Sequence, residues 1–332
     1  MAETWAGRKV FVTGAEGFIG SWLTERLLNK GAEVVVLRRG QSVAMEQSIG
    51  DVAGRCLVVN GDLSSHEALL EVMSRHGVTD VFHLAAQAIV NSANHSPLST
   101  FETNVRGTWN LLEASRLTSS IERIVVTSSV KTRAGHTAET NWDDANFVPS
   151  LPYDASKAAV EVITRSYAES FGLPVAVTRF ANVFGGGDFN FSRLVPSAVR
   201  SLLAGESPVI LSNGAPERDF IYIEDAIDAY LAVASGLSDR RNHGLVFNAG
   251  SDRPLSVLEL ITQLIAVAGS DLLPEIRGTE TSGSDVDRQH LDSSLISERL
   301  GWAPSWSLAD GLAETYRWYE RVLPASEIAN VG

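Results

Sequence analysis

Short runs of β-branched and aromatic residues alternate with longer amphipathic stretches along most of the chain, and this alternation restricts the fold more than any other feature. KVFVTG, EVVVLR, CLVVNG, DVFHLAA, IERIVVTSS and PVAVTRF are the runs. Their apolar residues are nearly continuous, as in strands covered on both faces. Between them lie helical patterns such as FIGSWLTERLLNKG, closed by Gly31, then HEALLEVMSRHG and LSTFETNVRGTWNLLEAS. Strands spaced by helices of this length make βαβ units, so the predicted fold class is α/β with a doubly wound parallel sheet. The pattern continues through a helix starting near Tyr153, then loosens after about Asn182 into GGGDFNFSRLVP and late helices around Ser256–Ala268 and Leu308–Tyr319. Residues 1–180 read as the sheet domain and 181–332 as a smaller domain over the carboxyl ends of its strands, with VFNAG at 246–250 returning as a strand.

The first run ends in TGAEGFIGSWL, which sets Gly14, Gly17 and Gly20 directly before a helix. Glycine lets the backbone turn sharply and approach a pyrophosphate, whose charge then rests at the helix N-terminus. The spacing differs from G-x-G-x-x-G, and glycines alone also suit an ordinary strand-to-helix turn. Strand, glycines and helix together at the first βα junction favour dinucleotide binding on a Rossmann-type domain. Gly14, Gly17, Phe18, Ile19 and Gly20 are the expected phosphate contacts. The second run ends in Arg38 and Arg39. NAD sites place a carboxylate there for the ribose 2′-hydroxyl, whereas arginine accommodates a 2′-phosphate. NADP is therefore expected, with NAD as the alternative in which both arginines are solvated. Asp62 and Leu63 are expected at the adenine. Leu84, Ala85, Ala86 and Gln87 are expected beside the cofactor's middle, where small residues also let helices pack closely.

Composition removes several classes. A chain of 332 residues, 44% hydrophobic, can bury one large core with a smaller attachment. Its 27 basic against 40 acidic residues give a formal charge of −13. Nucleic acids and anionic membranes need clustered Lys and Arg, so neither is an expected partner. The single cysteine, Cys56, excludes an internal disulfide and suits a reducing compartment. MAETWAGRKVF lacks the apolar stretch of a secretory signal, and no apolar run reaches the about 18 residues of a membrane span. A cytoplasmic location is expected, and no metal.

LPYDASKAAVEVI sets Tyr153 and Lys157 four residues apart at a helix start, so both project from one face. A phenol's pKa is near 10, and a neighbouring ammonium stabilises its anion, so such a tyrosine can take up a proton near neutrality. The pair also occurs by chance on solvated helices. Here it follows a dinucleotide-type junction and the hydroxyls of VTSS. With TGAEGFIG, GDL, FHLAAQ, NVRGTWNLLEA, TSS, YDASK, RFANVFGGG, RDFIYIED and DRQHLDSSLISERLGW, nearly the whole chain resembles the extended short-chain dehydrogenase/reductase family, in its nucleotide-sugar epimerase and dehydratase group. The resemblance implies Tyr153 as the base, Lys157 on the nicotinamide ribose and Ser129 at the sugar hydroxyl. It places Thr127, Phe180 and Val183 at the cofactor. On the substrate, a nucleoside-diphosphate sugar, it places Gln87, Ser129, Lys131, Asn182, Arg193, Leu194, Arg218 and Arg288. Arg218 beside Asp219 also reads as a surface ion pair.

Such enzymes oxidise a sugar hydroxyl, usually at C4. A 4,6-dehydratase must also remove water across C5–C6, which needs a base and an acid. Family dehydratases carry them just after the catalytic hydroxyl as Asp-Glu or Asp-Lys; here that position reads Val130-Lys131. Valine transfers no proton, and the glutamate typical of family decarboxylases is absent too. Reversible oxidation at one carbon remains, and its simplest cycle is 4-epimerisation. A dehydratase of the CDP-glucose type is the alternative, since Lys131, HLAAQ and GGGD fit it and Glu139, Asp143, Asp144 or Asp154 stand near in sequence. A non-catalytic dinucleotide sensor is a third reading, opposed by the retained Tyr–Lys pair. A homodimer is implied by the resemblance, through helices near Leu98–Ser115 and Tyr153–Phe171. Phe101, Val105, Trp109 and Leu112 recur there at helical spacing, as a buried helix would also show.

Overall fold

The computed structural model of the chain describes residues 5–40, 52–133, 149, 151–278 and 288–323. Its centre is a seven-stranded parallel sheet, and the fold is α/β, of Rossmann type. The first six strands in chain order are β1 (Lys9–Thr13), β2 (Glu33–Arg38), β3 (Leu57–Asn60), β4 (Asp80–His83), β5 (Arg123–Thr127) and β6 (Val175–Phe180). Strand Val246–Ala249 joins the edge beside β6 in parallel register, Val246 opposite Val177. From that edge the order runs through β6, β5 and β4 to β1, β2 and β3. The chain thus winds outward in both directions from β1, and the carboxyl ends of β1 and β4 flank the switch point where such sheets bind ligands.

Side-chain alternation along β1 divides the core between the two faces of the sheet. Val10 and Val12 pack with Leu23, Leu27, Phe82 and Val125, whereas Phe11 packs with Leu69, Met73, Leu111 and Ile124. Helix α1 (Phe18–Asn29) lies on the first face, and helices His66–His76 and Gly107–Leu117 lie on the second. Helix Ile223–Gly236, from the second half of the chain, also covers the first face. Its Tyr230 is fully buried, with ring centroids 4.6 Å from Phe180 and 6.4 Å from Phe82. The smaller C-terminal region therefore shares its core with the sheet. Its own short strands pair Asn182–Phe184 with Phe220–Tyr222, and Glu217–Arg218 with both Leu255–Ser256 and Arg288–Gln289.

The stretch expected as one helix over LSTFETNVRGTWNLLEAS is split. Pro97–Phe101 and Gly107–Leu117 are α-helical, and Glu102–Arg106 between them is a π-helical turn. Such wide turns cluster at functional sites because they redirect a side chain. Of the apolar stripe read there, Leu112 is in the core, whereas Phe101 and Trp109 are exposed. Among the described residues no helix is long and apolar enough to cross a membrane.

The β1–α1 junction is the tightest point of the fold. Gly14 has φ +77°, and a Cβ there would stand 2.6 Å from the Ala85 nitrogen. At Gly20, inside α1, a Cβ would stand 2.0 Å from the Gly14 carbonyl oxygen. Replacing glycine with alanine in a helix ordinarily gains about 1 kcal/mol. At Gly20 the contact with fixed backbone outweighs that gain, because α1 must move off the loop. Gly20→Ala is expected to destabilise the protein by about 2 kcal/mol net. Urea denaturation checks this; an unchanged or higher midpoint would contradict it.

Candidate active site

The carboxyl ends of β1, β4, β5 and β6 open into one cleft of about 1130 Å³, roofed by the C-terminal region. The glycine loop forms one end. Gly14, Gly17, Phe18, Ile19 and Gly20 all line it. Gly17 is the N-cap of α1, and no side chain caps that turn. Its N–H groups can therefore serve an anion, and the absence of side chains on Gly14 and Gly17 lets a diphosphate approach. This cradle fits a dinucleotide. Asp62, Leu63, Leu84, Ala85, Ala86 and Gln87 continue the lining beyond it, as does the exposed Arg39. Arg38 is not part of the lining; its Nε donates to Glu16 Oε1 at 2.8 Å, and it is Glu16 that faces the cleft.

The opposite end carries proton chemistry. Helix Pro152–Phe171 starts with proline in its first turn, and the Tyr153 N–H donates to Asn94 Oδ1 at 3.1 Å. One helical face then presents Tyr153 and Lys157 to the cleft, opposite Thr127 and Ser129 at the end of β5. Lys157 Nζ donates to the Thr127 carbonyl at 2.9 Å. Burial pulls the Lys157 ammonium down to about 8, with Glu161 opposing that fall. Burial pushes the Tyr153 phenol above its ordinary value, Asp154 adds to the rise, and the Ser129 hydroxyl, hydrogen-bonded to it, offsets part together with Arg193. His83, fully enclosed, is pushed down to about 3 by burial and by Lys157, so it is neutral. Its ring bridges Thr13 Oγ1 at 2.7 Å and Thr108 Oγ1 at 3.0 Å. The constellation can take a proton from a hydroxyl held beside a bound dinucleotide and return it.

The π-helical turn positions a residue that sequence reasoning passed over. Asn104, buried, accepts from the Gln87 N–H at 2.7 Å and donates to Ser156 Oγ at 2.9 Å. Ser156 in turn donates to the Tyr153 carbonyl at 2.7 Å. Both residues stand in the motifs NVRGT and YDASK, where a small polar residue among apolar helical neighbours is the available signal. Glu16, Glu102, Asp188, Phe189, Asn190 and Tyr230 also line the cleft and were not expected there.

On the substrate side, Phe180, Asn182, Val183, Arg193 and Leu194 line the cleft. Asn182 Nδ2 donates to the Asp219 carbonyl at 2.9 Å, and Arg193 Nη1 pairs with Asp188 at 2.8 Å. Lys131 and Arg218 are not brought into this lining. Arg218 Nη1 donates to the Glu217 carbonyl at 2.8 Å, on a strand beside the cleft. Lys131 sits in a short turn, Val130–Arg133, and its charge acts on Asp154. Val130 is partly buried against the core. The Arg288 backbone pairs with Glu217, while its side chain lies outside the described residues, as do Glu139, Asp143 and Asp144. Asp154 is buried, its carboxyl is pushed up by burial, and one of its oxygens has no hydrogen-bond partner among the described residues.

The profile of the NAD dependent epimerase/dehydratase family matches residues 10–250. A UDP-glucose 4-epimerase of Mycolicibacterium smegmatis is 31% identical over 94% of this chain and 98% of its own. Trifunctional UDP-glucose 4,6-dehydratase/epimerase/reductase enzymes of Arabidopsis thaliana are also similar. The chain spans about half their length, with 27% identity over 95% of this chain and 48% of one of them. Among solved structures, UDP-glucose 4-epimerase of Thermotoga maritima with UDP-glucose superposes with a TM-score of 0.83 at 27% identity, covering 95% of this chain and all of that one. A dTDP-glucose 4,6-dehydratase of Streptomyces venezuelae with NAD bound gives 0.81 at 28% identity, covering 94% and 97%. Fold and sequence agree, and the chain belongs to the NAD dependent epimerase/dehydratase family.

Proposed function

We propose that the chain is a nucleotide-sugar 4-epimerase. The observation that carries this reading is at the turn after Ser129, where Val130 packs against the core and Lys131 stays off the cleft lining, so neither supplies the acid that dehydration needs. Ser129 orients the C4 hydroxyl, and Tyr153 takes its proton while the Lys157 cation stabilises the phenolate. A dinucleotide held in the glycine cradle would supply the reversible hydride transfer at C4. The 4-keto sugar turns over in the cleft so that its other face meets the hydride donor, and Tyr153 returns the proton to the C4 oxygen. Gly14, Gly17 and the first turn of α1 would hold the cofactor's phosphates, and Asn182 and Arg193 the sugar nucleotide. A 4,6-dehydratase is the second reading, favoured by one observation: the buried carboxyl of Asp154, which burial pushes up while Lys131 opposes the rise.

The cofactor is proposed to be NADP, because Arg38 and Arg39 stand where an acid would select NAD. Pairing of Arg38 with Glu16 leaves Arg39 as the cation facing the cleft at that end, and favours NAD as the alternative. A homodimer is proposed through the surface that carries Leu98, Phe101, Trp109, Val162 and Phe171, all exposed on the helices expected to pair. A monomer mass by light scattering would remove it.

Incubation with a panel of UDP-, GDP-, CDP-, dTDP- and ADP-sugars, followed by mass, tests the reaction. A new sugar nucleotide of unchanged mass is expected, and a product lighter by water would overturn the epimerase reading. Tyr153→Phe should lower turnover of the accepted sugar by about 10²–10⁴-fold while the dinucleotide stays bound. Since the Lys157 cation is lost as pH rises through about 8, turnover should fall above that pH. Acid release and weighing of the bound nucleotide should give NADP; recovery of NAD alone would refute the reading of the arginines.

A further inference from the structure

Beneath the cleft, with Ser128 at its edge in the lining, lies a buried charged cluster that the chemistry above does not use. Glu161 follows Lys157 by one helical turn, and its side chain is 3% exposed. It accepts from Ser128 Oγ at 2.5 Å and from Arg179 Nε at 2.6 Å, with Arg179 Nη2 closing a second bond to its other oxygen. Arg179 belongs to β6, directly before the cleft residue Phe180, and its side chain is 4% exposed. Ser128 directly precedes Ser129, and its N–H donates to the Thr178 carbonyl at 2.8 Å. One carboxylate thus joins three elements that each deliver a cleft residue: the end of β5, the end of β6 and the tyrosine–lysine helix.

We propose that Glu161 is a positioning residue for the reaction, a sealed carboxylate that clamps the serine-bearing strand end to the catalytic helix and holds a negative charge one turn below the Lys157 ammonium. Removing two ions from water is costly, and an apolar trio of equal volume would hold the elements together as well. The charge itself therefore points to a task that packing cannot perform. Facing Lys157 are Tyr153 and Glu161 on its own helix, the Thr127 carbonyl of β5 and the neutral His83 of β4. Glu161 is the carboxylate acting on this ammonium, and it opposes the burial that drives the proton off. Arg179 pairs with both oxygens of that carboxylate. The inference rests on the tyrosine–lysine chemistry proposed above, yet its test needs no sugar.

The chain has only four lysines, Lys9, Lys30, Lys131 and Lys157, so protein labelled with ¹³C at the lysine ε-carbon gives four signals to titrate by NMR. Lys157→Met assigns the signal by deletion. In the unaltered protein the Lys157 midpoint should fall near pH 8. Glu161→Gln should lower it by about one pH unit or more, a tenfold loss of proton affinity. Because Glu161→Gln leaves the Arg179 guanidinium buried without its carboxylate, Glu161→Gln/Arg179→Met, which removes both charges, serves if the single variant does not fold. It too should lower the midpoint, whereas a purely structural role would leave it where it began. A Lys157 midpoint unchanged in the folded variant would overturn the proposal. Failure of every sugar in the panel, with the midpoint shifted, would count against the function and leave the electrostatic role standing.

Discussion

A cation held out of water governs the arrangement of this site. Lys157 sits at the floor of the cleft with a single carbonyl, that of Thr127, accepting from its ammonium at 2.9 Å. Burial alone would strip its proton, and the surroundings are built to limit that loss. His83 behind it is kept neutral and its two ring nitrogens are occupied by Thr13 and Thr108, so the imidazole adds no positive charge beside the lysine. Glu161 supplies the opposing charge one turn away. The phenol of Tyr153 is pushed toward its neutral form by burial, and in the proposed reaction this ammonium would make it a usable base.

The two regions of the chain cannot be separated energetically. Tyr230, from the C-terminal half, packs between Phe180 and Phe82 of the sheet and its hydroxyl reaches Thr127 Oγ1 at 2.7 Å. Thr127 is also the residue whose carbonyl holds Lys157. Trp22 of α1 donates through Nε1 to the Gly186 carbonyl at 2.8 Å, tying the glycine-loop helix to the segment that carries Asp188 and Phe189. The glycine cradle and the roof of the cleft therefore share one continuous core.

Much of this was legible from the sequence because it rests on local rules. Apolar runs of strand length, helical patterns between them and glycines at the first junction specify the sheet and its cradle, and a Tyr–Lys spacing of one helical turn specifies a shared face. What escaped was tertiary. Asn104 looked like any polar residue in a helix until a π-helical turn aimed it at Gln87 and Ser156. Glu161 and Arg179 are far apart in sequence, and neither motif containing them signals that they meet beneath the site. Arg38, sensibly read as a phosphate ligand from its place after β2, is drawn aside by Glu16 of the glycine loop. Lys131, next but one to Ser129, is placed at the substrate by the family resemblance. The short turn at Val130–Arg133 sets it toward Asp154 instead.

The fate of one hydrogen tests the central claim most directly. An accepted sugar nucleotide carrying deuterium at C4 is converted in ordinary water, and the product is read by NMR and mass. If oxidation and reduction occur at the same carbon around Tyr153 and Lys157, the label returns to C4 of the epimer and no solvent hydrogen enters the ring. Migration of the label to C6, with solvent hydrogen at C5, would mean that water is eliminated despite Val130 and would contradict the epimerase.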